Sequence, residues 1–298
     1  MPYCNVQRVD SPITGRSPDR KTGTTTLWLL GLVIVFFAAF FPVWKGLTAA
    51  WWEAEEYSHG FVVLPICLYI VWRKRTSLRQ IPIGPSYWGL VLTVLSLLSY
   101  ALAYHAGIAP VARFSMILAA VGMIIYLFGF AVARALAFPF AMLLFMVPVP
   151  SLIYASLTSP LQLLVTRISV WIVGMFDVPV LREGNIIHLP SKTFQVVDAC
   201  SGLRSMVSLS LLAALVGYFT LRSKPLRIIL FLFATPVAIS VNVVRITFVT
   251  LAFYFFNIDL LTPVCHRYFA YIIFLGAFVL IFSIRGILAR WERSAGPE

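Results

Sequence analysis

The chain has 298 residues, of which 60% are hydrophobic and only 11% are charged, and its formal net charge is +12 at pH 7. A soluble core of this size cannot bury so much apolar surface, so the composition excludes a soluble domain and predicts a polytopic membrane protein. The positive charge does not indicate nucleic-acid binding, because the basic residues form short clusters between apolar runs, as cytoplasmic loops do under the positive-inside rule.

The cysteines do not indicate a metal site or a disulfide framework. Cys4, Cys67, Cys200 and Cys265 show no CxxC or Cys/His spacing, and the predicted topology does not bring them to one side of the membrane. We therefore expect no metal.

The first part of the chain predicts a cytoplasmic tail and two spans. Residues 1–24 are polar and basic, and an apolar run from Leu27 to Val43 follows. The acidic and aromatic patch Trp51–Gly60 is typical of an outer loop. The second apolar run, Phe61–Trp72, is short for a span, so its helix should begin inside the patch and draw Tyr57 to Gly60 towards the membrane surface.

Three further spans are expected before a proline cluster. They cover Tyr87–Tyr104, a run that ends near Gly129, and Ala135–Val147. Residues 151–176 are apolar but carry scattered polar side chains, which favours a helix along the outer interface. A true span is the alternative, and it would invert the orientation of everything that follows.

The last part of the chain predicts an extended ribbon over Val178–Val197 and three more spans. The spans are Gly202–Leu221, Leu226–Phe256 and Tyr268–Ile284. The expected fold is therefore an all-α polytopic membrane protein with about eight transmembrane helices and a short extended or β-like outer segment before the sixth. Its parts are an N-terminal tail (1–24), a single membrane domain with an outer-face active site (25–286) and a C-terminal tail (287–298), both tails cytoplasmic.

Cys200 stands beside small residues where the sixth apolar run begins, although a lone cysteine in such a helix is more often inert packing. The predicted topology brings Arg245 and His266 to the same outer depth. An arginine within an apolar run should face the bundle interior, and Asn242 lies one helical step away on the same face. Taken singly, a snorkelling arginine and an ordinary interfacial histidine remain the alternatives.

These residue types favour acyl transfer through a thioester. A thiol needs a nearby base or cation to react as a thiolate at neutral pH, and the tetrahedral intermediate needs a hydrogen-bond donor. His266 fits the base and acid, and Arg245 the charge stabiliser. Arg204, one turn after Cys200, is a candidate for a substrate carboxylate or for a structural ion pair. This chemistry requires no cofactor, though a lipid acceptor is plausible.

At these residues the sequence resembles the exosortase/archaeosortase family of membrane-embedded cysteine transpeptidases. The likeness is carried by Ala199-Cys200-Ser201-Gly202-Leu203-Arg204-Ser205, by Asn242-Val243-Val244-Arg245, by His266 and by Tyr57-Ser58-His59-Gly60.

The resemblance implies a catalytic triad of Cys200, Arg245 and His266, with Arg204, Asn242, Tyr57 and His59 in binding or supporting roles. It implies substrates that end in a sorting tail of the Pro-Glu-Pro (PEP-CTERM) kind: a short signature, a transmembrane helix and a basic cluster. The acceptor would be an amine, a lipid or a glycan, often alongside exopolysaccharide production. His266 points to the bacterial branch, and hence to a multi-pass protein of the inner membrane with its active site on the periplasmic side.

Two other functions remain open at this point. One is a non-enzymatic transporter or assembly factor for polysaccharide export, in which Arg245 and His266 line a substrate path. The other is a plain intramembrane protease, because the sequence does not distinguish water from an amine as the group that resolves the thioester.

Overall fold

A computed structural model of the chain describes residues 21–196, 203–258, 260 and 263–294. The α-helices are α1 (Lys21–Ala39), α2 (Phe41–Glu53), α3 (Gly60–Arg73), α4 (Arg75–Gln80), α5 (Tyr87–His105), α6 (Ala109–Phe128), α7 (Phe130–Ala135), α8 (Ala137–Leu143), α9 (Ser151–Gly174), α10 (Leu203–Thr220), α11 (Lys224–Phe256) and α12 (Pro263–Ser294). Short 3-10 turns lie at Glu55–Tyr57 and Leu144–Met146, and the strands are β1 (Leu181–Glu183), β2 (Ile186–His188) and β3 (Thr193–Gln195). The chain clusters into two compact units that divide after Gly46, and the packing described below is within the second.

The prediction of a mostly helical, polytopic membrane protein is confirmed, but eight spans are not. Within the described residues, 5 helices (α5, α6, α9, α11 and α12) are long and apolar enough to cross a membrane, or 6 if the bent pair α1 and α2 forms one span. The predicted second, fifth and sixth spans coincide with shorter apolar helices at Gly60–Arg73, Ala137–Met146 and Ser205–Thr220. A helix such as α3, with 14 residues, rises only about 21 Å, short of the ~30 Å hydrocarbon core.

Helix α9 favours the alternative that residues 151–176 form a span, because it is long and apolar enough to cross a membrane. It is a 24-residue helix. Ser156, Ser159 and Arg167 are exposed, but four other polar side chains are buried: Thr158, Gln162, Thr166 and Ser169 are 2%, 8%, 0% and 0% exposed. Their spacing of three and four residues places them on one face. The sequence shows this polar stripe but not what covers it, and here other parts of the protein cover it.

The contacts of α9 with α11 give the direction of α9 relative to the later helices. The Ser169 hydroxyl donates to the carbonyl of Val243, 3.3 Å away, and Val173, further along α9, packs in a cluster that includes Leu251, further along α11. Helices α9 and α11 therefore run in the same direction. Helix α9 is thus a candidate span whose direction matches that of α11.

Helices α10 and α12 run antiparallel to α11, and basic side chains converge where the three meet. Arg73, Lys74 and Arg227 each lie 5.5 Å from an aromatic ring in the last turn of α10 (residues 218–220). Arg285 of α12 donates to the Thr220 hydroxyl of the same turn at 3.0 Å. We call this the basic end of the bundle and the opposite end, where α11 finishes, the distal end.

The predicted ribbon is a small antiparallel sheet in the order β1-β2-β3. The two-residue turn between β1 and β2 contains Gly184, whose φ of 63° suits a residue without a Cβ. Ile187 of β2 is fully buried, in one core cluster with Val165 of α9 and with Val243 and Ile246 of α11. The sheet is therefore anchored to α9 and α11 by its apolar face.

Candidate functional site

The polar pair predicted on α11 is buried in the protein. Asn242 is 4% exposed and Arg245 is 7% exposed, and at a spacing of three residues they share one helix face. Arg245 lies 21 residues after Lys224, so it stands about 32 Å along the helix from the basic end. The arginine thus faces the bundle interior near the distal end, as an arginine in an apolar run should.

The strand that leads to Cys200 packs against this part of α11. Val196, directly after β3, is 3% exposed and shares a core cluster with Val243 and Ile246, which directly follow Asn242 and Arg245 in the sequence. The described residues before Cys200 therefore end at Val196, beside the stretch of α11 that carries Arg245.

Asn185 fixes the position of Val196 and was missed in the sequence analysis. Its side-chain amide donates to the Val196 carbonyl at 3.1 Å and to Oε1 of Gln162 on α9 at 3.4 Å. The Val196 amide donates in return to the Asn185 carbonyl at 2.8 Å. Its place in the turn Glu183-Gly184-Asn185 was visible in the sequence, but its partners ten or more residues away were not.

The remaining predicted site residues are only partly described. Cys200 lies outside the described residues, as do its neighbours from 197 to 202. Arg204 and His266 fall in the first turns of α10 and α12, and the description covers their backbones but not their side chains.

The backbone of His266 lies further towards the distal end than that of Arg245. The rings of Phe248 and Phe269 stack with centroids 5.2 Å apart, which fixes the register of α11 against α12. His266 precedes Phe269 by three residues and Arg245 precedes Phe248 by three, in helices that run in opposite directions. The two backbones therefore differ by about six residues, or about 9 Å, along the helix axes.

Thr247 adds an unexpected polar group close to Arg245. Its hydroxyl oxygen is buried and has no hydrogen-bond partner among the described residues. Nearby Thr250, which is 0% exposed, instead donates to the Ile246 carbonyl of its own helix at 2.8 Å.

The Tyr57–Gly60 loop is braced against the turn at Leu144–Met146. Nε2 of His59 and the Phe145 carbonyl are 2.9 Å apart, so Nε2 carries the proton and donates. The Tyr57 hydroxyl donates to the Val149 carbonyl across a longer 3.5 Å. These bonds satisfy backbone groups freed by the proline cluster, which favours a structural role for both residues.

Tyr57 keeps its proton at neutral pH. Burial raises the pKa of its hydroxyl, and the neighbouring Tyr154 and Glu56 raise it further. The guanidinium of Arg113, on α6, lies close enough to oppose this rise. The sequence analysis gave Arg113 no role, although an arginine near the start of an apolar run is a signal of the same kind as Arg245.

Gly60 is required by the packing of Trp51. A Cβ on Gly60 would lie 2.3 Å from Nε1 of the indole. That indole is 4% exposed and donates to the Met146 carbonyl at 2.9 Å, so it cannot easily move aside.

Tyr57 and His59 line a groove that the polar pair of α11 does not line in the described structure. Its α11 wall runs from Lys224 to Phe231, and its α10 wall reaches Val207, one turn after Arg204. Phe231 precedes Asn242 by eleven residues, or about 16 Å of helix. The described residues also include no group of three or more His, Cys, Asp or Glu that could hold a metal ion.

Comparison with models of known protein families identifies the family of the chain. The model of the family described as transmembrane exosortase (Exosortase_EpsH) matches residues 51–283. The chain belongs to the transmembrane exosortase family. Neither the curated proteins nor the solved structures contain a match.

Membership implies a membrane cysteine transpeptidase in general terms. The matched range of this exosortase begins at Trp51 and so includes the Tyr57–Gly60 loop, the sheet and α11. It also includes Cys200 and His266, whose side chains the structure does not describe.

Proposed function

We propose that the chain is a cysteine protease and transpeptidase that cleaves C-terminal sorting signals of exported proteins through a thioester on Cys200. The observation that carries the proposal is the buried pair Asn242 and Arg245, which lies on the stretch of α11 whose Val243 and Ile246 pack with Val196, four residues before Cys200. Insertion scales give a cost of about 2.5–3.5 kcal/mol for an arginine deep in a membrane helix. A chemical role for its charge accounts for the retention of Arg245 there.

The length of the chain supports a meeting of Cys200 with Arg245. Cys200 follows Val196 by four residues, and four residues of extended chain span at most about 14 Å. Val196 itself shares a core cluster with Val243 and Ile246. This length is enough for the Cys200 thiol to reach the Arg245 guanidinium in the proposed site.

In the proposed reaction the Cys200 thiol transfers its proton to His266, and the thiolate attacks the carbonyl carbon of the scissile peptide bond. The Arg245 guanidinium stabilises the thiolate and then the oxyanion of the tetrahedral intermediate. His266 returns the proton to the leaving amine as the C–N bond breaks, which leaves an acyl thioester on Cys200. An amine or water then attacks the thioester and releases the thiol.

Two residues have supporting roles in this proposal. Asn242 orients the guanidinium from the same helix face, and Arg204 binds a carboxylate of the sorting signature. Tyr57 and His59, bonded to backbone carbonyls, support the fold of the loop.

The charge distribution supports a location in the bacterial inner membrane. The basic end would be cytoplasmic under the positive-inside rule, and the distal end with Arg245 would be periplasmic. The proposed partners are membrane proteins with a PEP-CTERM-like tail, together with a lipid or glycan acceptor linked to exopolysaccharide production.

Co-expression with a tail-bearing protein tests the proposal. We expect Cys200→Ala to abolish cleavage of the tail in membranes that contain normal amounts of the variant. The matched control is Cys265→Ala, which removes an exposed thiol from the first turn of α12. Full cleavage by Cys200→Ala would contradict the proposal, and so would an uncleaved substrate in the wild type, which a transporter or assembly factor would leave intact.

Labelling of intact cells tests the orientation. A membrane-impermeant maleimide should react with the exposed Cys265, and Cys265→Ala should lose that label. Labelling of Cys265 only after the cells are opened would place the distal end in the cytoplasm.

A further inference from the structure

An apolar groove of about 660 Å³ lies between α8, α10 and α11 and is also lined by Tyr57 and His59, just before α3. Its walls include Phe138, Ala141, Phe145, Ala214 and Phe231. Tyr57 and His59, the polar side chains at the end of the groove opposite Lys224, already donate to backbone carbonyls. The groove therefore presents a continuous hydrocarbon-like surface.

Two cations stand at the near end of this groove. Lys224 and Arg227 line it where α11 begins, at the basic end. Arg227 is fixed, because its Nε donates to the Leu221 carbonyl at 2.9 Å and its guanidinium lies over the Tyr218 ring. Lys224 is exposed and makes no hydrogen bond or ion pair with another described residue.

One acidic side chain close to these cations in the fold balances only part of their charge. Glu292 of α12 accepts hydrogen bonds from the backbone amides of Arg222 and Ser223. The near end of the groove thus combines a positive site with an apolar channel, which is the arrangement that binds an anionic headgroup with its acyl chain.

The volume of the groove fits a single acyl chain. The groove offers about 660 Å³, within the range of about 300–1,000 Å³ typical of small-ligand sites. A substrate tail with a basic end would also be repelled by Lys224 and Arg227.

We propose that this groove binds an anionic phospholipid of the leaflet at the basic end. The phosphate contacts Lys224 and Arg227, and one acyl chain follows the apolar walls towards Phe145. The lipid fills the space under the Tyr57–Gly60 loop. Arg245, which the proposed chemistry on Cys200 uses, is not among the described residues that line this groove.

Native mass spectrometry tests the site on the full chain. The purified protein is delipidated and offered phosphatidylglycerol or phosphatidylcholine of the same acyl length. We expect the wild type to retain phosphatidylglycerol preferentially, and Lys224→Gln to weaken that retention about fivefold, the effect of one cation at a lipid phosphate. Arg290→Gln, which removes an exposed charge of α12 outside the groove, should retain it as the wild type does.

A second variant tests the acyl channel. Ala141→Trp should fill the groove and lower phosphatidylglycerol retention, whereas Ala155→Trp, on an exposed face of α9 away from the groove, should not. Equal retention of the two lipids by the wild type, or unchanged retention in both Lys224→Gln and Ala141→Trp, would overturn the proposal. Displacement of the lipid by a transmembrane peptide with a basic C-terminus would overturn it as well, because the groove would then be a substrate path.

Discussion

The α5–α6 hairpin and the α9–α11 pair both bury polar side chains, but the side chains are of different kinds. In the hairpin, Ser96 and Ser115 are each 3% exposed and donate to carbonyls of their own helices, Leu92 at 2.7 Å and Val111 at 2.8 Å. In the α9–α11 pair the buried groups include an amide, Asn242, and a permanent cation, Arg245.

This difference distinguishes buried polar side chains that serve helix packing from those that serve the proposed chemistry. Small hydroxyls that bond back to their own helix let two helices approach closely at little cost. One carbonyl of the same helix does not satisfy the five N–H donors and the charge of a guanidinium, so the burial of an arginine is expensive unless further polar groups contact it. The hairpin therefore supports the fold, and α11 near Arg245 supports the proposed function.

The largest expected effect comes from Arg245. We expect Arg245→Met to lower the rate of tail cleavage about 10²–10³-fold, because the developing oxyanion loses its main stabilising charge. Arg245→Lys should recover part of the rate, since it keeps the charge but not the forked donors. The measurement is the cleavage rate in membranes with matched protein amounts.

The hairpin supplies the control for that experiment. Ser115→Ala removes a buried hydroxyl that bonds to the carbonyl of its own helix and to Ser99, and cleavage should stay at the wild-type rate. Wild-type cleavage by Arg245→Met, or an equal loss in Ser115→Ala, would remove the distinction between the two regions.

Gly89→Ala, in the hairpin, should lower the stability of the protein rather than the rate of cleavage. A Cβ at Gly89 would lie 2.2 Å from the Tyr126 backbone nitrogen and 2.6 Å from the Gly122 oxygen, and backbone atoms cannot move aside. We expect a loss of about 1–3 kcal/mol or more in the free energy of unfolding, measured as a lower midpoint of thermal unfolding in detergent.

A matched glycine tests this explanation. Gly276 on α12 has nothing within 4 Å of the corresponding Cβ position, so Gly276→Ala should unfold at or above the wild-type midpoint. If both variants unfold alike, close approach of α5 and α6 is not what requires Gly89.

Asn185→Ala should have a smaller effect on function. It removes the hydrogen bonds to Gln162 and to the Val196 carbonyl, each worth about 1 kcal/mol. Because these bonds hold the strand before Cys200, we expect cleavage to slow several-fold while the protein still inserts. Glu183→Gln, an exposed change in the same sheet, is the control, and an equal slowing in both would refute a positioning role for Asn185.

Tyr57→Phe should change least. The hydrogen bond from its hydroxyl to Val149 is long at 3.5 Å, so we expect less than about 1 kcal/mol of lost stability and cleavage close to wild type. A loss of cleavage as large as that of Arg245→Met would instead show that Tyr57 touches the substrate.

Much of the fold follows from the sequence because apolar runs and breaking residues are local signals. The long runs of α5, α6, α11 and α12 and the extended segment before Cys200 belong to this class. The burial of Arg245 also follows, since an arginine inside an apolar run has few other places to go.

What the sequence does not show is which surface covers a face. The stripe of Thr158, Gln162, Thr166 and Ser169 has helical spacing, but the same stripe fits water or a neighbouring helix, and α11 decides between them. Likewise the shortness of α3 and α8 is visible, whereas the bond from His59 to Phe145, 86 residues away, depends on long-range packing. The Lys224–Phe231 groove also arises only when three separate helices and the Tyr57–Gly60 loop meet.

The central claim is that an acyl thioester forms on Cys200, and mass spectrometry of the acyl-enzyme tests it most directly. The exosortase is incubated with a tail-bearing substrate, quenched in acid and digested, and the peptide that contains Cys200 is analysed. The account predicts that this peptide carries the N-terminal part of the substrate through a hydroxylamine-labile bond, absent from Cys200→Ala. Cleavage of the substrate with Cys200 unmodified and the adduct on another residue, or full cleavage by Cys200→Ala, would contradict it.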